Sequence, residues 1–342
     1  MNKVNFNIFM FAILLCGTAT AGPSVSVAFR EPWSNLFGGR AIVFHAGLTA
    51  EEAFVGRMEW RFSASGRTLV RREAAVKLKP GMCETVEISL AAPDVKPGVI
   101  LEAELMASVY KDSASVPLAG AQRQLWIFPE NPFCWRTNYF ENMQVSLFDP
   151  EKKTSSVLES AGFPFKTVDN IDSLASISSG LIMIGEGLSF KDFGGLPETM
   201  IKAAAAGIPV LCLAPVGGEM TICGPDVIVP GSMIFRGVDI IRNFDKRLDS
   251  NGWPMDGKIQ SGLIKLRGTK ERVVGEIGKT NGGWPWLEMR YGKSQTRLVV
   301  CGFAIMEKWD ACPAPRFLLA NILEYMAAKD ETSAAVIMGG GR

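Results

Sequence analysis

Apolar and polar residues alternate with a period of two along the first third of the chain. Val25, Val27 and Phe29 are separated by smaller or polar residues, and Met58, Trp60 and Phe62 by Glu59 and Arg61. Val86, Ile88 and Leu90 alternate with Glu87 and Ser89, and Leu101, Ala103, Leu105, Ala107 and Val109 with Glu102, Glu104, Met106 and Ser108. Ala41 to Phe44 is a further apolar strand, and Gln124 to Phe128 closes the series. Period two sends successive side chains to opposite faces, so this pattern predicts antiparallel sheet with one face on a core. Turn residues separate the runs at Ser65-Gly66, Lys79-Pro80-Gly81 and Lys96-Pro97-Gly98.

The pattern changes after Asn142. Short continuous apolar runs at Val145–Phe148, Phe165–Val168, Leu181–Ile184 and Ile208–Leu213 now alternate with helical stretches. Glu151 to Ala161 places Val157, Leu158 and Ala161 on one face and stops at Gly162; Glu198 to Ala206 stops at Gly207. Strands apolar throughout, alternating with helices, predict a parallel sheet covered on both faces, with right-handed crossovers. Arg272–Ile277, Trp286–Tyr291 and Arg297–Phe303 read as later strands, turned at Asn281-Gly282-Gly283 and Gly292-Lys293, and Pro315–Ala328 as a closing helix.

These readings predict two domains, in keeping with 342 residues at ~100–200 residues per domain. About seven short strands in ~100 residues is the size of an immunoglobulin-like sandwich, expected over residues 23–129. Pro129-Glu130-Asn131-Pro132 opens a linker expected over 130–143. A three-layer α/β domain is expected over 144–329, followed by a tail over 330–342.

Residues 1–22 read as an export leader. Lys3 is followed by an apolar run from Phe6 to Leu15, broken only by Asn7, and Ala19-Thr20-Ala21 supplies the small-x-small cleavage pattern. The run is too short to span a bilayer as a stable helix, and no later run is long enough either. Lipidation at Cys16 is not expected, because Leu15 before it is not small. An exported chain can form disulfides. Cys83, Cys134, Cys212, Cys223, Cys301 and Cys312 leave the pairing open, and Cys212 and Cys301 lie in apolar runs that suit buried thiols. Net charge is +1 with no basic stripe, so a nucleic-acid partner is not expected.

The α/β half resembles the glutamine amidotransferase-like, flavodoxin-like domains of bacterial exported glycoside hydrolases and their relatives. The likeness rests on Ser146-Leu147-Phe148-Asp149-Pro150, Leu181-Ile182-Met183-Ile184-Gly185-Glu186 and Ala205-Ala206-Gly207-Ile208-Pro209-Val210-Leu211. It extends to Leu287-Glu288-Met289-Arg290-Tyr291-Gly292-Lys293, to the strand Leu298–Cys301 and to Leu318-Leu319-Ala320-Asn321-Ile322-Leu323. The first half resembles sandwich modules that flank such domains in β-galactosidase-type enzymes. Active amidotransferases carry a cysteine on a sharp turn after a strand, and a later histidine and glutamate. The matching turn here, Ala214 to Gly218, has no cysteine; Cys212 lies earlier, within the strand. The single histidine, His45, falls in the sandwich half. A thiol needs a base or a positive field to become a nucleophile, so glutaminase chemistry is not expected.

Ligands of doubly wound sheets collect at the carboxyl ends of the strands, where the strand order reverses. Those ends supply Asp149, Glu186, Gly187, Gly217, Gly218 and Glu219. With strand order 2-1-3-4, Asp149 and Glu186 flank one crevice. Paired carboxylates can bind sugar hydroxyls or act as acid and base, and Asp149 ahead of a helix also suits a cap. Gly217-Gly218 can cradle an anion or make a tight turn. Trp253, Trp284, Trp286 and Trp309 offer either core packing or flat faces for sugar rings. One histidine excludes multi-histidine metal sites, and no acidic cluster has Ca²⁺-loop spacing, so neither metal nor cofactor is expected. The expectation is an exported, non-catalytic protein serving glycan handling or protein association at the cell envelope, with a polysaccharide or an envelope protein as partner. The alternative is a carboxylate-dependent, glycosidase-related hydrolase using Glu186 with Asp149 or Glu219.

Overall fold

The computed structural model describes residues 24–112, 114–248, 263–278 and 283–328. The expected leader with Cys16, Trp253, the turn residues Asn281-Gly282 and the tail lie outside the described residues.

The first half is a β-sandwich. Its strands are β1 (Val25–Phe29), β2 (Asn35–Phe37), β3 (Ala41–Ala50), β4 (Phe54–Ala64), β5 (Arg67–Leu78), β6 (Cys83–Ala91), β7 (Leu101–Tyr110) and β8 (Ala119–Phe128). One sheet has the order β1-β3-β6 and the other β2-β8-β7-β4-β5. All pairings are antiparallel except the short β2, which runs parallel to β8. Between the sheets lie Phe44, Leu48, Phe54, Phe62, Ile88, Leu105, Leu125 and Ile127, all buried. The period-two residues are those that face this core, because a half-buried strand must alternate. Strand β5 has no such signature. It is an edge strand carrying Arg71, Arg72, Glu73 and Lys77, and within it only Val76 and Leu78 are buried.

The second half is a seven-stranded sheet between two helical layers. Its elements are α1 (Thr137–Met143), β9 (Val145–Phe148), α2 (Lys153–Ser160), β10 (Lys166–Val168), α3 (Ile171–Ala175), β11 (Leu181–Ile184), α4 (Leu196–Ala205) and β12 (Val210–Leu213). There follow β13 (Glu219–Thr221), β14 (Ser232–Arg236), α5 (Ile240–Phe244), β15 (Ile264–Arg267), β16 (Val273–Ile277), β17 (Trp286–Tyr291), β18 (Thr296–Cys301) and α6 (Pro313–Ala327). The order is β10-β9-β11-β12-β18-β17-β14. The first five strands are mutually parallel; β17 and β14 add antiparallel pairings. Alternate strand residues serve opposite layers. Leu211 and Leu213 pack toward α1, α2, α5 and α6, whereas Val210 and Cys212 pack toward α3 and α4. Strands β13, β15 and β16 form a separate small sheet.

The segment expected as a linker is structural. Residues 130–143 contain α1, and Phe133 and Phe140 are buried with Phe163 at ring separations of 4.8–5.5 Å. Two Pro residues and polar neighbours masked this pattern, since the rings are too far apart to show a period. The same segment joins the halves. Phe128 at the end of β8 meets Phe317 of α6 at 4.7 Å. The Arg316 guanidinium lies over Phe37 at 4.5 Å and donates to the Glu130 carbonyl at 2.7 Å. Asn35 Nδ2 donates to the Arg247 carbonyl at 2.7 Å. Among the described residues no helix is long and apolar enough to cross a membrane.

Candidate functional site

Strand order reverses between β9 and β11, since the chain leaves β9 outward to β10 and returns to the other side. Asp149 follows β9 and Glu186 follows β11, so both stand at this junction. Helix α2 ties them together. The backbone N–H of Ser155 donates to Asp149 Oδ2 at 2.7 Å, and Thr154 Oγ1 accepts from the Glu186 N–H at 2.8 Å. Asp149 therefore caps α2, the role its place before a helix suggested. Its second oxygen, Oδ1, is buried without a hydrogen-bond partner among the described residues. Gly185 leaves the space for it: a Cβ there would lie 2.5 Å from Oδ1.

Glu186 is buried and also committed. Oε2 accepts from the Met306 N–H at 2.7 Å and Oε1 from the Glu307 N–H at 2.9 Å, so its carboxyl pins the turn that follows β18. Burial pushes its pKa up to about 7; the two N–H donors oppose the shift and the Glu307 charge adds to it. Gly187 has φ +88° and donates to the Ala214 carbonyl at 3.2 Å. The Lys153 ammonium stands 3.8 Å from where its Cβ would be.

The turn after β12 lies against this junction. Ala214 is buried with φ +29°, a conformation costly for any residue with a Cβ, and its N–H donates to the Cys301 carbonyl at 2.6 Å. Cys212 is fully buried inside β12, and burial pushes its thiol pKa far above the ordinary value. A thiol so placed is a small packing residue. Gly217-Gly218 is a turn with both residues at positive φ. Gly217 accepts from the Phe190 N–H, and a Cβ at Gly218 would lie 2.8 Å from Phe190 Cβ.

The remaining candidates stand elsewhere. Glu219 is on β13, where Arg267 donates to it from Nε at 2.7 Å and Nη2 at 2.6 Å and holds its carboxyl below the usual range. Trp286 is buried against Phe244. Trp309 is buried against Phe133. Trp284 is 45% exposed, with its ring 5.8 Å from Phe235, and is the one of these indoles that reaches solvent. The junction thus unites Asp149, Glu186 and Gly187 with Thr154, Lys153 and Ala214, which sequence reading did not select as site residues. A Lys-Thr pair in the first turn after Asp149 was the available signal; the positive φ of Ala214 has none. Among the described residues no group of His, Cys, Asp and Glu is disposed to hold a metal ion.

The chain matches no model of a known protein family and no curated protein sequence. Its similarities among solved structures are slight. A sporulation control protein from Bacillus subtilis shows 10% identity over 30% of this chain and 49% of its own, with TM-score 0.24. A CARDB domain from Pyrococcus furiosus shows 12% identity over 31% of this chain and 94% of its own, with TM-score 0.24. Fibronectin(III)-like modules of Clostridium thermocellum CbhA show 17% identity over 32% of this chain and 48% of theirs, with TM-score 0.20. The chain spans about half the length of the first and third of these.

Proposed function

We propose that the chain is an exported, non-catalytic accessory protein in which an immunoglobulin-like sandwich carries a flavodoxin-like, amidotransferase-like domain that has no nucleophile. The strand order with five parallel members and helices on both faces supports this fold assignment. The observation that carries the functional reading is Ala214. A residue with a Cβ is held at positive φ on the turn after β12, where active amidotransferases hold their cysteine. That turn offers a methyl group, Cys212 is sealed in the strand, and this half of the sequence has no histidine.

Glycan handling at the cell envelope is the role we assign to it. Trp284, with Phe235 beside it, is a partly exposed aromatic face of the kind that stacks on sugar rings. The carboxylate-hydrolase alternative needs acid and base facing each other across a cleft. Asp149 and Glu186 are instead turned to backbone N–H donors, and Glu219 to Arg267.

The test has two arms. The purified protein and Ala214→Cys are assayed for ammonia release from glutamine and for hydrolysis of aryl glycosides; neither should show turnover. Binding to a panel of polysaccharides should be found for the parent and weakened roughly fivefold by Trp284→Ala, the scale of a lost stacking contact of about 1 kcal/mol. Turnover by the parent protein rejects the non-catalytic reading. Failure to bind any glycan, or undiminished binding by Trp284→Ala, rejects the glycan role alone.

A further inference from the structure

A pocket of about 530 Å³ lies where the two halves meet. Its walls are Trp33, Phe37, Ile42 and Val43 of the sandwich and Cys312 and Pro313 at the start of α6. Ligand sites of roughly 300–1,000 Å³ with mostly apolar walls and a few placed polar groups form preferentially at such domain boundaries. Val43 is 40% exposed here, apolar area that neither half covers.

The polar side chains in this pocket are those of Glu31, Asn35, Arg40 and His45, and Asn35 donates to the Arg247 carbonyl. Glu31 is not open to a ligand. Its carboxylate accepts from the His45 backbone N–H at 3.0 Å on both oxygens, and His45 Nδ1 lies 2.6 Å from Oε1. The contact leaves the imidazole facing outward through Nε2, which takes no hydrogen bond among the described residues. Arg40 rests its guanidinium on the Phe37 ring at 4.2 Å and pairs with Glu130, from outside the pocket, through Nε and Nη2. Arg40 is therefore the cation at the mouth of this pocket, above an apolar floor, and its guanidinium has more donors than its contacts with Glu130 use.

We propose that this pocket binds a small apolar molecule carrying one carboxylate. The apolar body would cover Val43, Ile42 and Trp33, and the carboxylate would face Arg40. This site is separate from the strand-end junction and from Trp284, so it stands or falls independently of the glycan reading.

Calorimetric titration of the full chain at neutral pH tests it with octanoate and with octanol. One saturable site is expected for octanoate and a several-fold weaker one for octanol. Val43→Glu sets a carboxylate on the wall and should weaken octanoate at least tenfold with an unchanged thermal midpoint, since Val43 is already partly exposed. If that variant loses stability, Arg40→Gln gives the same readout from an exposed position and should weaken octanoate without affecting octanol. The proposal is overturned by no saturable octanoate binding at millimolar concentration, by equal binding of octanol, or by undiminished octanoate binding to Arg40→Gln.

Discussion

At the scale of single residues, Glu186 couples the junction to pH. Its pKa rises from an ordinary 4.5 to about 7 on folding, because burial disfavours the carboxylate. Between those values the folded state binds the proton more tightly than the unfolded chain. Its contribution is therefore fully present below about pH 4.5 and is lost as pH rises to about 7. At ~1.4 kcal/mol per unit the loss is about 3 kcal/mol. Urea midpoints of the parent should fall from pH 4.5 to pH 8 by that order, whereas Glu186→Gln should be nearly flat across this window. The amide substitution turns one N–H toward Met306 or Glu307, which costs about 1–3 kcal/mol at every pH. A parent protein with a flat profile would show that the carboxyl is not held as described. Gly185→Ala is a second probe, since its methyl would meet Asp149 Oδ1 at 2.5 Å and Cγ at 2.9 Å. It should destabilise by about 1–3 kcal/mol, the usual penalty for overpacking a closed site. The sequence identified both carboxylates and the strand ends that carry them. It could not show that each is consumed by backbone donors, because Met306 and Glu307 lie 120 and 121 positions away.

At the scale of elements, legibility follows how each segment is buried. The four-residue spacing of Leu318, Ile322 and Met326 marks the closing helix, whose residues pack with those of α1, α2 and α5. Strands β11 and β12 of the central sheet are readable because both faces are covered and every residue is apolar. Edge strands β5, β13 and β14 lack that signal, having one side in water. Phe133 and Phe140 lie in a segment without an apolar period, and their burial comes from tertiary contact with Phe163. Helix α6 is the element on which the two halves rest. Phe317 contacts Phe128 at 4.7 Å and Trp135 at 6.3 Å, and the Trp135 ring in turn covers Gly98 on the sandwich. Phe317→Ala should cost about 3–5 kcal/mol, and Phe317→Leu less than about 1.5 kcal/mol. Thermal or urea denaturation of the two variants measures that ordering.

At the scale of the whole molecule, these contacts decide whether the sandwich unfolds by itself. A flexible tether would let each half melt independently. Here the connecting segment is part of the second core, Arg316 donates to the Glu130 carbonyl across the joint, and Phe128 is shared between the last sandwich strand and the layer under α6. Exposing one half would strip apolar area from the other, at roughly 25 cal/mol for each Å² uncovered. The expected calorimetric trace is therefore one peak whose calorimetric and van't Hoff enthalpies agree. Phe317→Ala removes the ring at the centre of this joint and should split the peak in two. Two peaks in the parent would place the joint among weak contacts and make the pocket between the halves a variable space. One peak in the parent that divides in Phe317→Ala would mean that the halves hold that pocket at constant shape. Preorganisation of this kind lowers the ordering cost that binding there would otherwise incur.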